Sequence, residues 1–508
     1  QGQAEVRTVQ DWLALDWLGH AAGRFGYDAE LALPWRSDGP VRMTLSSTLE
    51  GVEVALPAPF AKPLARPAPL RLVLTGRDDG ADLDIRYQRL LAARLALEKG
   101  SLRAARLRFG AGTASAPDQP GLTLEGTLSN LSVTDWLPIL TGEGDAAGEG
   151  DWPRVAMNLE QAEFYGFPFR QLLLDGQPTD DGWSLQVSGE QVAGSLLVPR
   201  GYRQRGDNPL SLALERLQLE QAGEGSGDAL SPAAVPVMDV RLDALSLNGE
   251  DMGRWQFATR IAPGGVAIEE LEANWRNTAI RGRVVWSEAR QGQQSHFVGS
   301  LASRNLARSL RRWELEPFME SDEARAVVDV TWPGDPTAFD YLSLTGQASV
   351  AIGPGRFPKT DSRTSALRVL GVFNVATVSR RLRLDFSDLY KKGLAFEEIS
   401  GDFAIAGPKV GTRNLRIKSP SAELRVRGEM DIETESLDHF MEVTLPVSSN
   451  LYVGCLAGPA ACAGIFVVER LWGNRLEKMT SLGYRVTGSW DEPKVEEAPL
   501  PAEDRAAR

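Results

Sequence analysis

Three histidines, His20, His296 and His439, and two cysteines, Cys455 and Cys462, are the residues of this 508-residue chain best suited to hold a metal or attack a substrate. Their spacing supports neither. No H-x-x-x-H pair sets two imidazoles on one helical face, and the cysteines of "GCLAGPAACAG" do not form a C-x-x-C knuckle. A continuous helix would hold them about 10.5 Å apart at 1.5 Å per residue, too far to bridge. Gly458-Pro459 breaks such a helix. Two readings stay open: a small disulfide loop in an oxidising compartment, or two buried thiols. There is no G-x-S-x-G elbow, no G-x-x-x-x-G-K-[ST] phosphate loop and no G-x-G-x-x-G after a strand. "TGEGDAAGEGD" (Thr141–Asp151) is acidic but lacks the spacing and closing Glu of an EF-hand, and reads as a linker. Carboxylates from distant segments could converge for acid–base work, yet no segment favours it. The expectation is a protein that is not an enzyme and takes no metal or cofactor.

The elements that carry these residues are strands. A net charge of −13 argues against nucleic-acid binding, which needs a concentrated basic surface. Single cores rarely exceed about 300 residues, so the length implies several domains or one repetitive body. The 50 glycines and 30 prolines punctuate the chain at intervals suited to short strands and turns. Alternation with a period of two recurs throughout. It sets Leu70, Leu72 and Leu74 on one face of their segment, and Leu122 and Leu124 on one face of theirs. The same holds for Trp183, Leu185 and Val187, for Leu212 and Leu214, for Val240 and Leu242, for Trp255 and Phe257, and for Leu424 and Val426. Turns at "RDDGAD", "TDDGW" and "APGG" join them as antiparallel meanders.

Helical breaks are few. "NLSVTDWLPIL" (Asn130–Leu140) and "NLARSLRRWELEP" (Asn305–Pro317) each open on an Asn N-cap, bring in a tryptophan and close on proline. Three longer stretches, Phe164–Pro199, Leu247–Trp286 and Lys392–Met430, share an order of strand, turn, strand, polar break and a strand holding Gly194, Gly282 or Gly428. Such self-similarity points to a stack in which each unit leans on its neighbours. These helices are too few to cover the apolar face. Either the sheet folds on itself as tandem β-sandwiches, or it curls into an elongated, twisted β-groove with an apolar interior. An exposed apolar trough needs an occupant, and acyl chains gain about 0.8 kcal/mol per buried CH₂.

One segment departs from this pattern. "ALRVLGVFNVATVSRRLRLDFSDLYKKGLAFEEISGDF" (Ala366–Phe403) begins with a helical apolar stripe, accumulates basic residues and returns to strand alternation. This block closely resembles the C-terminal signature of the YhdP branch of the AsmA-like family of Gram-negative envelope proteins. "LEGVEVALPAPFAKPLARPAPLRL" (Leu49–Leu72), "QVAGSLLVP" (Gln191–Pro199), "SPSAELRVRGEMDI" (Ser419–Ile432) and "GYRVTGSWDEPKV" (Gly483–Val495) agree with the same branch.

The resemblance implies a periplasmic protein held in the inner membrane by an N-terminal helix not found in this sequence. Its β-groove would carry phospholipid between inner and outer membranes, as in bridge-like lipid transfer proteins, and support the outer-membrane permeability barrier. The partners implied are phospholipids, the two membranes and other envelope proteins. The apolar residues named above would line the groove. Leu367, Leu370, Phe373 and Val378 would cap it, and Arg380, Arg381, Arg383, Lys391 and Lys392 would meet acidic headgroups; alternatively, the stripe packs on a sheet and the arginines pair with Asp385, Asp388 and Glu397. A scaffold of β-sandwiches in an envelope complex is the alternative to transport. The expected order is groove segment 1–140, linker 141–151, groove repeats 152–302, helical break 303–321, groove segment 322–362 and basic amphipathic segment 363–392. A C-terminal β repeat (393–446), an apolar loop, helix and final strand (447–495) and a disordered tail (496–508) complete it. The uncharged run Val443–Val468 exceeds the about 20 residues that span a bilayer. Its prolines and glycines favour a buried loop and helix, with a membrane-touching hairpin as the alternative.

Overall fold

Strand dominates the computed structural model, which describes residues 1–13, 19–34, 39–136, 152–202, 206–220, 231–289, 292–315, 317–358, 394–420, 422–444, 481–490 and 493–500. Among these, 31 strands stand against the α-helices Val6–Leu13 and Leu306–Arg312 and a helical stretch at 133–136. The chain divides into two compact units, one holding residues 1–231 and 236–255, the other 232–235 and 256–508.

In the first unit, strands follow one another in sequence order from Arg42–Ser47 through Leu70–Arg77, Gly80–Tyr87, Leu91–Glu98 and Ser101–Phe109. Short turns make this possible. Lys99-Gly100, Tyr165-Gly166 and Asn248-Gly249 each hold two successive residues at positive φ, the turn whose twist matches that of a hairpin. The expectation of an antiparallel sheet is corrected at three junctions between long strands, besides the short parallel pairing of Leu131–Ser132 with Arg154–Phe164. Gly121–Leu128 runs parallel to Ser101–Phe109, Arg154–Phe164 runs parallel to Gly121–Leu128, and Met238–Leu247 runs parallel to Leu210–Leu219. A parallel step needs a return crossing the length of a strand. Each junction accordingly coincides with one of the long links 110–120, 129–153 and 220–237.

In the second unit, antiparallel pairing runs from Gly265–Trp275 through Thr278–Ala289, Gly292–Ser303, Ala324–Pro333 and Thr345–Ile352 to Glu398–Ala406. It continues through Lys409–Ser419, Ala422–Asp431 and Ser436–Thr444 to Ser481–Ser489. A separate three-stranded sheet joins Glu320–Ser321, Gly355–Phe357 and Leu394–Phe396.

The three glycines shared by the sequence repeats sit at or next to the register slips. The pairing shifts between Ala193 and Gly194, between Ile268 and Leu271 (the partner of Gly282), and between Thr412 (the partner of Gly428) and Leu415. Bulges bend a strand and sharpen its twist. Gly194 and Gly428 have φ of +148° and +144°, and a Cβ there would lie 2.2 Å from the Ala213 carbonyl oxygen and 2.1 Å from that of Asp438. Gly194→Ala and Gly428→Ala are each expected to cost at least about 1–3 kcal/mol in backbone strain. Urea unfolding of the two variants measures this. A change within about 0.5 kcal/mol, the range of ordinary surface substitutions, would show that the bulges do not need glycine.

Candidate functional site

Register decides which side chains share a face, because directly paired residues point the same way. In the first unit one row runs Leu45, Leu72, Ile85, Ala93, Leu107, Leu124, Val155, Gly176, Leu185, Leu196, Leu212, Val240, without a polar side chain. A second runs Leu70, Tyr87, Leu91, Phe109, Gly126, Met157, Leu174, Val187, Gly194, Leu214, Leu242. Leu74 and Leu122 belong to a third, through Leu83, Leu95 and Ala105. Trp183 faces the same side between Pro178 and Val198. Its ring covers Gly176, and its Nε1 donates to the Pro153 carbonyl at 2.7 Å.

The opposite face is a different surface. There the row reads Arg71, Arg86, Ala92, Arg108, Glu125, Ala156, Asp175, Gln186, Ser195, Ala213, Arg241. Arg108 pairs with Glu125 at 3.2 Å and Arg94 with Asp84 at 3.6 Å. These partly exposed pairs contribute little to stability, and their role is to keep this face wet.

Exposure separates two regimes on the apolar side. Leu72, Ile85, Leu107, Leu124, Leu185, Leu196 and Leu212 are half-buried, whereas Leu214, Val240 and Leu242 are 7%, 5% and 7% exposed. In the second unit, Leu424 and Val426 are 6% and 1% exposed, inside a core with Ile399, Leu415, Ile417, Met441, Tyr484 and Val486. Phe357 and Phe396 of the small sheet join that core, ring centroids 5.0 Å apart. Trp255 and Phe257 share a face of the strand Glu250–Ala262, both half-buried, with Trp255 Nε1 donating to the Met252 carbonyl at 2.8 Å.

Polar groups within the apolar side are few. His439 lies in the row Thr412, Gly428, His439, Val486, with Nδ1 buried and unpartnered. Burial holds its pKa below the ordinary value of 6.5, against a smaller opposing pull from Asp438, so it adds no charge there at neutral pH. The other histidines do not join it: His296 Nε2 meets Asp329 Oδ1 at 2.7 Å, and His20 is exposed. Among the described residues no group of histidines, cysteines and carboxylates is placed to hold a metal, and no helix is long and apolar enough to cross a membrane. The capping residues Leu367, Leu370, Phe373 and Val378, the basic residues Arg380, Arg381, Arg383, Lys391 and Lys392, and Cys455 and Cys462 lie outside the described residues.

The YhdP protein family model matches residues 1–495. The chain belongs to the YhdP family. It is 19% identical over 504 residues to the intermembrane phospholipid transporter YhdP of Escherichia coli (strain K12), across 94% of this chain and 38% of that protein. It therefore spans well under half the length of that relative. No solved structure matches it. The family's mainly β character is plain in both units. Ile85, Leu107, Val155 and Leu196 join the apolar rows through register. Alternation around Leu83 and Ile85 carries the signal, but the doublet Leu196-Leu197 hides which residue faces which side.

Proposed function

We propose that this chain is a non-enzymatic segment of a phospholipid conduit between the two membranes of a Gram-negative envelope, with acyl chains lying along the apolar rows of the first unit. One observation carries the reading: the row from Leu45 to Val240 is apolar at every step, yet its leucines remain half-buried. A protein cover of the kind found over Leu424 and Val426 would bury them nearly completely, and hydrocarbon is the other partner that removes such surface from water. The Escherichia coli relative is an intermembrane phospholipid transporter, which agrees with this. Many equivalent leucine and valine contacts let a lipid step from row to row, because no position binds it much more tightly than the next. Headgroups stay at the wet edge. The periplasm, an inner-membrane anchor elsewhere in the full protein, envelope partners and support of the outer-membrane permeability barrier belong to the same proposal.

In the second unit the apolar side is filled by protein where Phe357 and Phe396 pack, so Leu424 and Val426 support the fold of that segment while the first unit holds lipid. Organic extraction of the purified chain followed by mass spectrometry tests the reading. Stoichiometric phospholipid is expected. Its absence from protein purified without detergent would favour a scaffold of sandwiches.

A further inference from the structure

The helix Leu306–Arg312 divides into two faces. Ala307 and Ser309 are buried, and Leu306 and Leu310 pack against the core of the second unit. Arg308, Arg311 and Arg312, spaced i, i+3 and i+4, form the other face and are exposed, as is Arg304 just before the cap. In a chain of net charge −13 these four guanidinium groups make no ion pair among the described residues; Arg311 Nε donates to the Ala307 carbonyl at 3.2 Å. The patch is also held in place. Asn305 caps the helix by accepting from the Arg308 amide at 2.9 Å, and Trp313 Nε1 donates to Thr278 Oγ1 at 3.1 Å. The Arg276 guanidinium lies 5.0 Å and 5.2 Å from the Trp275 and Trp313 ring centroids. Just past the basic face, Leu315 projects at 54% exposure.

We propose that this face docks on the surface of a bilayer carrying anionic phospholipid, with Arg304, Arg308, Arg311 and Arg312 on headgroups and Leu315 in the interface. Charge complementarity selects the partner. Cations with no ion pair among the described residues, gathered on and just before one helix and next to an exposed apolar side chain, match a surface that is anionic outside and apolar just beneath. The face shares no residue with the apolar rows, and its test reads membrane attachment without measuring lipid carried, so either proposal can fail alone.

The test is flotation of the full chain with vesicles of phosphatidylglycerol and phosphatidylcholine in equal parts, against pure phosphatidylcholine. Binding to the anionic vesicles alone, weakening with added salt, is expected. R304Q/R308Q/R311Q/R312Q should weaken it at least tenfold, and the corresponding four lysine replacements should retain it. Circular dichroism confirms that each variant is folded. Equal binding to neutral vesicles, undiminished binding by the glutamine variant, or loss in the lysine variant would overturn the proposal. Displacement by inorganic phosphate, beyond that by chloride at matched ionic strength, would also overturn it by marking a free-phosphate site.

Discussion

Phe357→Ala is expected to destabilise the second unit by about 3–5 kcal/mol, the cost of emptying an aromatic site in a packed core. Phe357 is 1% exposed and Phe396 2%, and both belong to the buried cluster that holds Ile417, Leu424 and Val426. The strand that delivers Phe357 has only three residues, so its backbone pairing offers little to replace the lost contact. Urea unfolding followed by tryptophan fluorescence measures the change, with Leu173→Ala, at a position 56% exposed, as a control expected within about 0.5 kcal/mol. A Phe357 variant as stable as that control would mean that the small sheet adds nothing to the core it belongs to.

The second large effect concerns the half-buried rows. Leu185→Glu combined with Leu212→Glu is expected to lower co-purifying phospholipid about tenfold or more while leaving the fold intact. The two positions lie in one row on either side of Leu196. An empty trough leaves both carboxylates in contact with water, so folding costs little. A trough filled with acyl chains strips that water away without supplying a cation, and a buried unpaired charge costs several kcal/mol. A loss of about 1.4 kcal/mol already gives the tenfold change. Gln186→Glu places the same charge on the wet face and should leave lipid content unchanged.

Much of this arrangement is legible in the sequence because a period of two needs no tertiary information. Leu70, Leu72 and Leu74, or Trp183, Leu185 and Val187, declare a common face as soon as their segment is a strand, and register then joins the segments into rows. Strand direction is not encoded this way. The alternation of "GLTLEGTL" reads the same whether it pairs parallel or antiparallel, and the parallel steps follow from the long links beside them. Nor does alternation say what covers a face. "AELRVRG" and "WSLQVSG" look alike, yet the first lies in a buried core shared with Phe357 and Phe396 and the second is half-open. The covering residues sit in strands of three residues, Gly355–Phe357 and Leu394–Phe396, too short to show any period. The arginine face of Leu306–Arg312 escapes for a related reason. Seven residues make under two turns of helix, and charges that close in sequence read as ordinary solvated surface.

Photo-crosslinking bears most directly on where hydrocarbon lies. A photoreactive side chain would replace, one at a time, Leu72, Leu124, Val187 and Leu212, and then their outward neighbours Val73, Thr123, Gln186 and Ala213. Acyl chains lodged along the leucine rows predict lipid adducts at the first four sites and almost none at the second four. Adducts of equal yield on the two faces, or none on either, would contradict the idea that this sheet shelters lipid on its greasy side.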